Sequence, residues 1–496
     1  MNPMRNVNKP KVILRHCETY DPARITQITG EGMDELGVRP CGRTMVKPNV
    51  VIAHKEFFPH AFTRPEFIDG LLTALQERGE EITELYVGER SGITLPTRYT
   101  FAMAGYPAVL RKHKVRAEYF DEGAQVPVKL KHPDALRDLI FIPEGVARCE
   151  FLVNAPKFKA HPWTKVTLAL KNFIGIQDDA HRLIDHDHML HAKIADLQEV
   201  LSPGFIAIDG IIAGERTMLT PTPYPLHLII MGINPVAVDS VCTHILGLDP
   251  REVDHIRITA ERGYGPINLD EIEITGDVSL EEAQERAANL QLTLERVDQV
   301  LRDRRSRITA YIGPPPDTYD YCWGGCPGSL FEAMQIIDGF QPGVYRRVRP
   351  FHIVIGDYQG EIDTGSDELV LFMGNCTRWQ GQLDGESVSV PFLYTQRQHL
   401  NPYEATAGDV VRKMIGVMIN LFHHRGRPFV RVKGCPVSVA ENVLYVSQLG
   451  RVTNPYLHPK IVFAFSYHWA VSKMVRFWRA LKRLSSGRRM PWSVVQ

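Results

Sequence analysis

Short apolar, β-branched runs alternate with longer helical patterns from Val46 to about Asp277. Lys47 to Ile52 has the composition of a strand, and Arg64 to Arg78 spaces its apolar residues as a helix does. Phe151 to Asn154 and Phe205 to Asp209 are short apolar runs that predict buried strands. Such alternation is typical of βαβ units. The sequence therefore predicts an α/β fold with a mostly parallel sheet.

Changes of composition divide the chain into four parts. Residues 1–278 form the predicted α/β domain, and residues 279–312 are a charge-rich stretch that predicts a helical linker. A Gly-Pro-Pro-Pro run then makes a stiff break. Residues 313–450 repeat the α/β pattern on a smaller scale and carry four of the eight cysteines. Residues 451–496 predict a basic, amphipathic C-terminal helix.

The composition excludes some classes of function. Because 57 basic side chains balance 57 acidic ones, no overall charge attracts nucleic acid, and no nucleic-acid partner is expected. No run of about 18 apolar residues occurs, and the first 12 residues lack the apolar core of a signal peptide. We therefore expect a soluble, cytoplasmic protein. In that reducing compartment, clustered cysteines serve metal binding or catalysis better than disulfide bonding.

The second domain contains Cys322, Cys326, Cys376 and Cys435, each beside glycine or proline. Glycine lets the backbone bend around an inorganic centre, and proline after a ligand ends regular structure. Four thiolates suit a 4Fe-4S cluster, with structural zinc as the alternative and four unconnected thiols as the plainest interpretation. Zinc sites usually take two close pairs of ligands, whereas here one Cys-x3-Cys pair joins two distant single cysteines. The spacing therefore favours iron and sulfur.

Polar side chains gather at predicted strand ends of the first domain. Lys157 and Lys159 follow a predicted strand, at the edge where parallel α/β sheets bind ligands, and Asp209 ends another. Several cations together imply a small anionic ligand, a carboxylate or a phosphate, although a solvated lysine face is the alternative. The candidate substrate-binding residues are Lys47, Asn49, Lys157, Lys159, Lys165, Lys171 and Asn172. The candidate catalytic residues are Asp209 and two histidines that could transfer protons, His161 and His181.

The C-terminal segment combines an apolar stripe with basic residues. Val471, Met474, Val475, Trp478, Leu481 and Leu484 fall on one side of a helix, and five lysines and arginines surround them. Two interpretations fit this pattern. The helix could dock its stripe on its own protein or on a partner, which we favour, or it could lie on an anionic membrane surface.

These motifs, taken in order, resemble the family called domain of unknown function 362. The resemblance covers about residues 45–277. Its motifs are Lys47-Pro48-Asn49, residues 154–161, residues 166–172 with Gly175, Ile208-Asp209-Gly210 and residues 234–239. Members of this family are sometimes attached to iron–sulfur proteins, usually to a small ferredoxin-like module with Cys-x2-Cys repeats. This chain has four dispersed cysteines instead. A fainter similarity, in Thr63-Arg64-Pro65 and Val87-Gly88-Glu89, is to the N-terminal domain of nickel-pincer lactate racemases, and it implies small hydroxy acids as ligands.

The leading hypothesis is a 4Fe-4S oxidoreductase that acts on a small anionic substrate and receives electrons from a donor protein. Four cysteine ligands close the cluster, which favours redox chemistry over a Lewis-acid dehydratase or isomerase with an open iron. A non-catalytic electron-transfer or maturation partner is the second hypothesis. A zinc scaffold that binds small anions is the third.

Overall fold

The computed structural model describes residues 9–92, 95–178, 181–182, 189–292, 295–315, 321–365, 367–393 and 428–485, with Ile415 and Ile419. The chain forms two compact units. Unit 1 comprises residues 1–178, 191–293 and 467–496, and unit 2 comprises residues 179–190 and 294–466. The C-terminal residues thus group with the first unit rather than with the domain that precedes them.

Unit 1 is built on a ten-stranded sheet and a two-stranded hairpin. The strands are β1 (Lys11–His16), β2 (Cys41–Pro48), β3 (Glu80–Glu89), β4 (Arg116–Tyr119), β5 (Gln125–Lys129), β6 (Leu139–Pro143), β7 (Phe151–Ala155), β8 (Lys157–His161), β9 (Lys165–Val166), β10 (Phe205–Glu215), β11 (Thr222–Gly232) and β12 (Glu273–Gly276). The large sheet has the order β12-β1-β11-β10-β7-β2-β3-β4, with β8 beside β10 and β9 beside β8. β5 and β6 form the hairpin.

The middle of this sheet is parallel and doubly wound. Strands β10, β7, β2, β3 and β4 run parallel to one another. From β2 the chain proceeds outward to β3 and β4 on one side, then returns to β7 and β10 on the other. The order therefore reverses between β2 and β7, and this topological switch point is where open α/β sheets bind ligands. The predicted α/β fold with a mostly parallel sheet is confirmed.

Helices pack against this sheet. They are α1 (Pro22–Leu36), α2 (Pro65–Arg78), α3 (Thr97–Ala104), α4 (Tyr106–His113), α5 (Glu144–Ala147), α6 (Leu168–Asn172), α7 (Leu190–Leu197), α8 (Pro235–Ile245), α9 (Asp254–Glu261) and α10 (Leu280–Ala287). Helix α2 shows why the sequence folds this way: Pro65 occupies its first turn, and Phe67, Leu71 and Leu75 on one side are buried. The predicted helix differs from α2 only in its first residue.

Unit 2 contains a smaller, mostly parallel sheet. Its strands are β13 (Ile308–Ile312), β14 (Phe351–Asp357), β15 (Leu369–Leu383), β16 (Glu386–Val390) and β17 (Phe429–Val432), and its helices are α11 (Val297–Asp303), α12 (Cys326–Phe340) and α13 (Val439–Leu449). β14 pairs in parallel with β13 and β15, and β17 pairs in parallel with the other edge of β15. Val354, Phe372 and Trp379 lie in its buried core. A last helix, α14 (Pro459–Ser485), ends the described chain.

Two strands differ in length from the predicted ones. β2 begins at Cys41 rather than Lys47 and ends at Pro48 rather than Ile52. It ends there because the backbone N–H groups of Asn49 and Val50 donate to the Thr63 hydroxyl and the Glu89 carboxylate instead of a neighbouring strand. β10 continues beyond Asp209 to Glu215, since it pairs with the long hairpin strand β11. Across the described part of the chain, every helix is too short or too polar to cross a bilayer.

Candidate functional site

The switch point of unit 1 places five polar side chains from four chain segments together. Lys47 near the end of β2 is the register partner of Asn154 in β7. Glu89 ends β3, the neighbour of β2. Asn49 and Asn172 complete the group, and all five residues are buried. The edge predicted from the sequence is therefore the edge at which these side chains meet.

A buried ion pair lies at the centre of this group. The Lys47 ammonium is 2.9 Å from Glu89 Oε2, and neither side chain is more than 1% exposed. Glu89 also accepts hydrogen bonds from the backbone N–H groups of Val50 (3.2 Å) and Arg90 (2.8 Å). A buried charge needs such partners, because desolvation costs several kcal/mol per ion. Lys47, predicted to hold substrate, is thus neutralised within the protein.

Three asparagines close the group around the ion pair. Asn172 Oδ1 accepts from Asn49 Nδ2 at 3.1 Å and from Lys47 Nζ at 3.4 Å, and its own amide donates to Asn154 Oδ1 at 2.8 Å. Gly175 lies against the pair: a Cβ there would collide with Glu89 Oε1 and stand 3.1 Å from Lys47 Nζ. The segment 168–176 therefore needs a glycine at this position to pack over the switch point.

A second buried pair lies where β8 meets β10. Lys157 and Asp209 are register partners, and Lys157 Nζ is 3.0 Å from Asp209 Oδ2, with both side chains wholly buried. The Tyr20 hydroxyl bridges the pair, since it lies 2.7 Å from Lys157 Nζ and donates to Asp209 Oδ1 at 2.8 Å. The Arg64 N–H donates to Asp209 Oδ2 at 3.0 Å. We call Tyr20, Lys157 and Asp209 the tyrosine triad.

The tyrosine triad has a half-exposed rim. Tyr20, His60 and Arg64 are all of intermediate exposure, and the Arg64 guanidinium lies 5.2 Å from the centre of the Tyr20 ring. Burial, together with the charges of Lys157 and Arg64, lowers the pKa of His60 to about 4. Burial and Asp209 raise the pKa of Tyr20, while burial lowers the pKa of Lys157 against the opposing effect of Asp209. At neutral pH the rim therefore presents a neutral imidazole beside a guanidinium.

The remaining predicted lysines lie apart from one another. Lys159 is buried and donates to the carbonyls of Ala61 (2.8 Å) and Met218 (3.0 Å). Lys165 lies at the surface, 3.4 Å from Glu252. Lys171 is buried in α6, close enough to His255 that its charge adds to burial in lowering the pKa of that histidine. The three lysines therefore contact different groups in the described structure.

The two predicted proton-transfer histidines belong to different compact units. His161 ends β8 and is buried, and its Nδ1 accepts from the backbone N–H groups of Trp163 (3.2 Å) and Thr164 (3.3 Å). Those bonds close the turn into β9. His181 is buried and lies in the part of the chain that groups with unit 2.

Several site residues escaped the sequence reasoning. Tyr20 and His60 were not predicted, and Arg64 and Glu89 entered the fainter resemblance without a role at a site. A signal existed for Glu89, because it directly follows Leu85-Tyr86-Val87-Gly88, a short run with the composition of a strand. Tyr20 and His60 lie in loops, and only the folded chain brings them to Lys157.

Asp239 is buried and caps the first turn of α6. Its two carboxylate oxygens accept from the N–H groups of Ala169 (2.8 Å) and Leu170 (2.9 Å), which are the first turn of that helix. No charged partner opposes its desolvation. Burial therefore raises the pKa of Asp239 to about 8, although the two backbone bonds act in the other direction.

The four cysteines of unit 2 converge on the start of α12. Met373 of β15 and Val432 of β17 are register partners, and Cys376 and Cys435 each come three residues after one of them. Cys326 is the first residue of α12, and Cys322 lies in the turn before it. Burial and the proximity of the other three cysteines raise the pKa of the Cys326 thiol. Parallel strand ends and one helix N-terminus thus gather thiols that are up to 113 residues apart in sequence.

Glycines and backbone bonds shape the surroundings of these thiols, which we call the cysteine cluster. A Cβ at Gly325 would lie 2.5 Å from Cys322 Sγ, and one at Gly374 would lie 3.0 Å from Cys326 Sγ and 3.7 Å from Cys376 Sγ. Gly374 also has φ +95°, which side chains rarely allow. The Val437 N–H donates to Cys326 Sγ at 3.3 Å.

Asn375 ties the two strand-end loops of the cysteine cluster together. Its N–H donates to the Gly434 carbonyl at 2.9 Å, and its Oδ1 accepts from the Gly434 N–H at 3.0 Å. These bonds fix the loop of Cys376 against that of Cys435. Among the described residues, no three His, Cys, Asp or Glu side chains are arranged to share a single metal ion.

Comparison with known proteins identifies the larger part of unit 1. Residues 44–244 match the family model described as domain of unknown function (DUF362), so the resemblance drawn from the motifs is confirmed over those residues. A thylakoid-associated protein of Synechocystis sp. is 22% identical over 267 residues, which are 51% of this chain and 80% of that protein. The lactate racemase apoprotein from Thermoanaerobacterium thermosaccharolyticum aligns with 69% of this chain and 68% of its own, at 10% identity and a TM-score of 0.33.

Proposed function

We propose that this protein is a 4Fe-4S oxidoreductase that acts on a small anionic substrate in the cytoplasm. The observation that carries the proposal is the convergence of four cysteines from three chain segments on the N-terminus of α12. Burial and its three neighbouring thiols make the Cys326 thiol resist deprotonation, whereas metal ions stabilise thiolates strongly. The proximity of the four cysteines therefore favours a metal centre over four unconnected thiols.

The donor set fits a cluster better than one zinc ion. Sulfurs around a tetrahedral zinc, each about 2.3 Å from the metal, lie roughly 4 Å apart. In a 4Fe-4S cluster each cysteine binds a different iron, so the sulfurs stand farther from one another. No three described cysteines are close enough to share one ion, and Gly325 and Gly374 keep side chains out of the space beside the sulfurs.

In this proposal Cys322, Cys326, Cys376 and Cys435 hold the cluster. The bound cluster would take up and release single electrons. The Val437 N–H bond to Cys326 and the N-terminal dipole of α12 stabilise negative charge on the sulfur. Because all four ligands are cysteines, redox chemistry ranks above a dehydration that needs an open iron.

We place the anionic substrate at the rim of the tyrosine triad. Arg64 is half-exposed and can pair with a carboxylate or phosphate, while the buried Lys157 acts on the substrate through the Tyr20 hydroxyl. His60 is neutral at pH 7, so its ring can donate or accept a hydrogen bond at the rim. Lys47, Asn49, Asn154 and Asn172 then serve to hold the strand ends in place rather than to bind substrate directly.

Anaerobic reconstitution of paired variants tests this proposal. The wild-type protein, incubated with iron and sulfide, should gain a broad visible absorption that dithionite bleaches. Cys376→Ser should lose most of that absorption, whereas Cys41→Ser, at an exposed cysteine outside the cluster, should retain it. Equal absorption in both variants would refute the assignment of ligands. A bleachable cluster that no small carboxylate or phosphate ester reoxidises would favour the non-catalytic electron-transfer role.

A further inference from the structure

Helix α14 is fixed to unit 1 by one of its faces. Ser472 is buried and its hydroxyl lies 3.5 Å from Asp121 Oδ2. The Arg479 guanidinium donates to the Glu122 carbonyl, and the His468 ring lies 6.5 Å from that of Tyr99. Residues 468, 472 and 479 fall on the same side of a helix, because they are separated by about one and two turns. These contacts are polar, whereas Met474, Trp478 and Leu481 of the apolar stripe that was predicted to dock are exposed.

The opposite face of α14 is apolar and uncovered. Tyr467, Met474, Phe477, Trp478 and Leu481 have 38–65% of their surface exposed. Their spacing in sequence places them along one stripe, roughly half a turn away from the docked residues. We call these five residues the aromatic stripe. Exposed apolar patches of this kind usually mark interaction sites.

The charged residues within the C-terminal segment itself have a single sign. Residues 459–496 contain eight lysines and arginines and no aspartate or glutamate, although the whole chain is balanced at 57 of each sign. Lys473 lies 5.4 Å from the centre of the exposed Trp469 ring. The segment is therefore strongly basic, although the protein as a whole has no net charge. A second copy of the chain would oppose one such segment with another, and the like charges would repel.

We infer that the aromatic stripe of α14 lies on the surface of an anionic lipid bilayer. Tyrosine, tryptophan and phenylalanine partition into the headgroup region, and flanking lysines and arginines attract acidic lipids. The helix is too polar to cross the bilayer, so it lies in the plane of the interface. Because the docked face holds α14 on unit 1, the DUF362-like part of the chain is carried to the membrane with it.

Flotation of the full-length protein with vesicles tests this inference. The protein should float with vesicles of phosphatidylcholine mixed with phosphatidylglycerol and remain unbound with phosphatidylcholine alone. Raised salt should release it, since screening weakens the attraction between exposed charges. Replacing Phe477 and Trp478 with alanine should lower the binding constant by more than about tenfold, because two large apolar side chains no longer leave water.

A matched variant keeps the test specific. Ile233 and Leu457 are exposed apolar residues outside α14, and I233A/L457A should bind vesicles as the wild-type protein does. Circular dichroism should show both double variants folded, since all four side chains point into solvent. Absence of binding to anionic vesicles, or equal binding by F477A/W478A, would overturn the inference. A wild-type dimer that F477A/W478A dissociates would also overturn it and assign the stripe to a second copy.

Discussion

Two buried ion pairs, Lys47–Glu89 and Lys157–Asp209, lie at the candidate site of unit 1. Each carries further hydrogen bonds, which is what allows charged groups to remain away from water. In the second pair Tyr20 is the shared partner, because its hydroxyl contacts both charges. The chemistry of this interior therefore depends on pairs rather than on single cations.

Removing one charge of the Lys157–Asp209 pair should lower the free energy of unfolding more than removing both charges. Lys157→Met leaves Asp209 buried beside an apolar side chain, and we expect the free energy of unfolding to fall by about 3 kcal/mol or more. The double variant K157M/D209N removes both charges and should recover part of that loss. Urea unfolding of the three proteins measures this. A double variant that is no more stable than K157M would contradict the ion-pair account.

The neutral imidazole at the rim depends partly on its cationic neighbours. Arg64→Gln removes one of the charges that lower the pKa of His60, so that pKa should rise from about 4. The rise should be partial, because burial and Lys157 remain. NMR titration of the His60 ring protons checks it, with the distant, surface-located Arg251→Gln as the control. An unchanged pKa in R64Q would exclude an electrostatic role for Arg64 at this rim.

Asp239 should make stability depend on pH. Burial raises its pKa from 3.8 to about 8, so between these values the folded protein binds a proton that the unfolded chain has lost. Stability is therefore greatest at low pH and declines as pH rises through this window, by at most about 1.4 kcal/mol per pH unit. Asp239→Asn removes the titrating group.

The difference in unfolding free energy between wild type and D239N isolates this effect. We expect the wild-type protein to lose stability relative to D239N between pH 5 and pH 8 in urea unfolding. Other titrating groups cancel in the comparison. A difference that stays constant, or that grows with pH, would show that the two backbone N–H bonds keep Asp239 ionised.

At the scale of elements, the segment 168–176 packs over the switch point, with Gly175 directly against the Lys47–Glu89 pair. Gly175→Ala would force its Cβ into Glu89 Oε1, which the Lys47 pair and the Arg90 N–H hold in place. Such overpacking typically costs about 1–3 kcal/mol. Gly123→Ala has only carbonyl oxygens 4.0 Å from its Cβ and should be neutral. Thermal unfolding of both variants compares them, and equal melting temperatures would contradict the fit.

Elements with a strong local pattern could be predicted from the sequence. Strand β7 begins at Phe151 as predicted and ends one residue later, and α2 begins one residue late. Both carry their apolar periodicity within a few residues. The end of β2 could not be predicted, because Asn49 and Val50 leave the strand to meet Thr63 and Glu89. Long-range bonds of this kind have no local signature.

The candidate sites show the same division. The strand-end rule selected Lys47, Lys157 and Asp209 from the sequence, but it could not reveal that Glu89 and Asp209 neutralise the two lysines. The Gly-Cys-Pro triplets marked Cys326 and Cys435, and pairing of β15 with β17 brings Cys376 to them. Residue type and neighbouring glycines or prolines thus indicate the candidate site residues, whereas the partners of those residues are known only from the fold.

The whole molecule combines two α/β units with separate chemistry. Unit 1 carries the DUF362-like segment with its paired charges, and unit 2 carries the cysteine cluster. The proposed function needs both, since a cluster alone moves electrons and a polar rim alone binds an anion. The proposed oxidoreductase activity therefore requires the iron–sulfur cluster.

The most direct test is the metal content of protein purified without oxygen. Iron, acid-labile sulfide and zinc are measured on the same wild-type sample before any reconstitution. The account predicts about four irons and four sulfides per chain, with little zinc. Stoichiometric zinc without sulfide, or protein that binds neither metal even after anaerobic incubation with iron and sulfide, would contradict it.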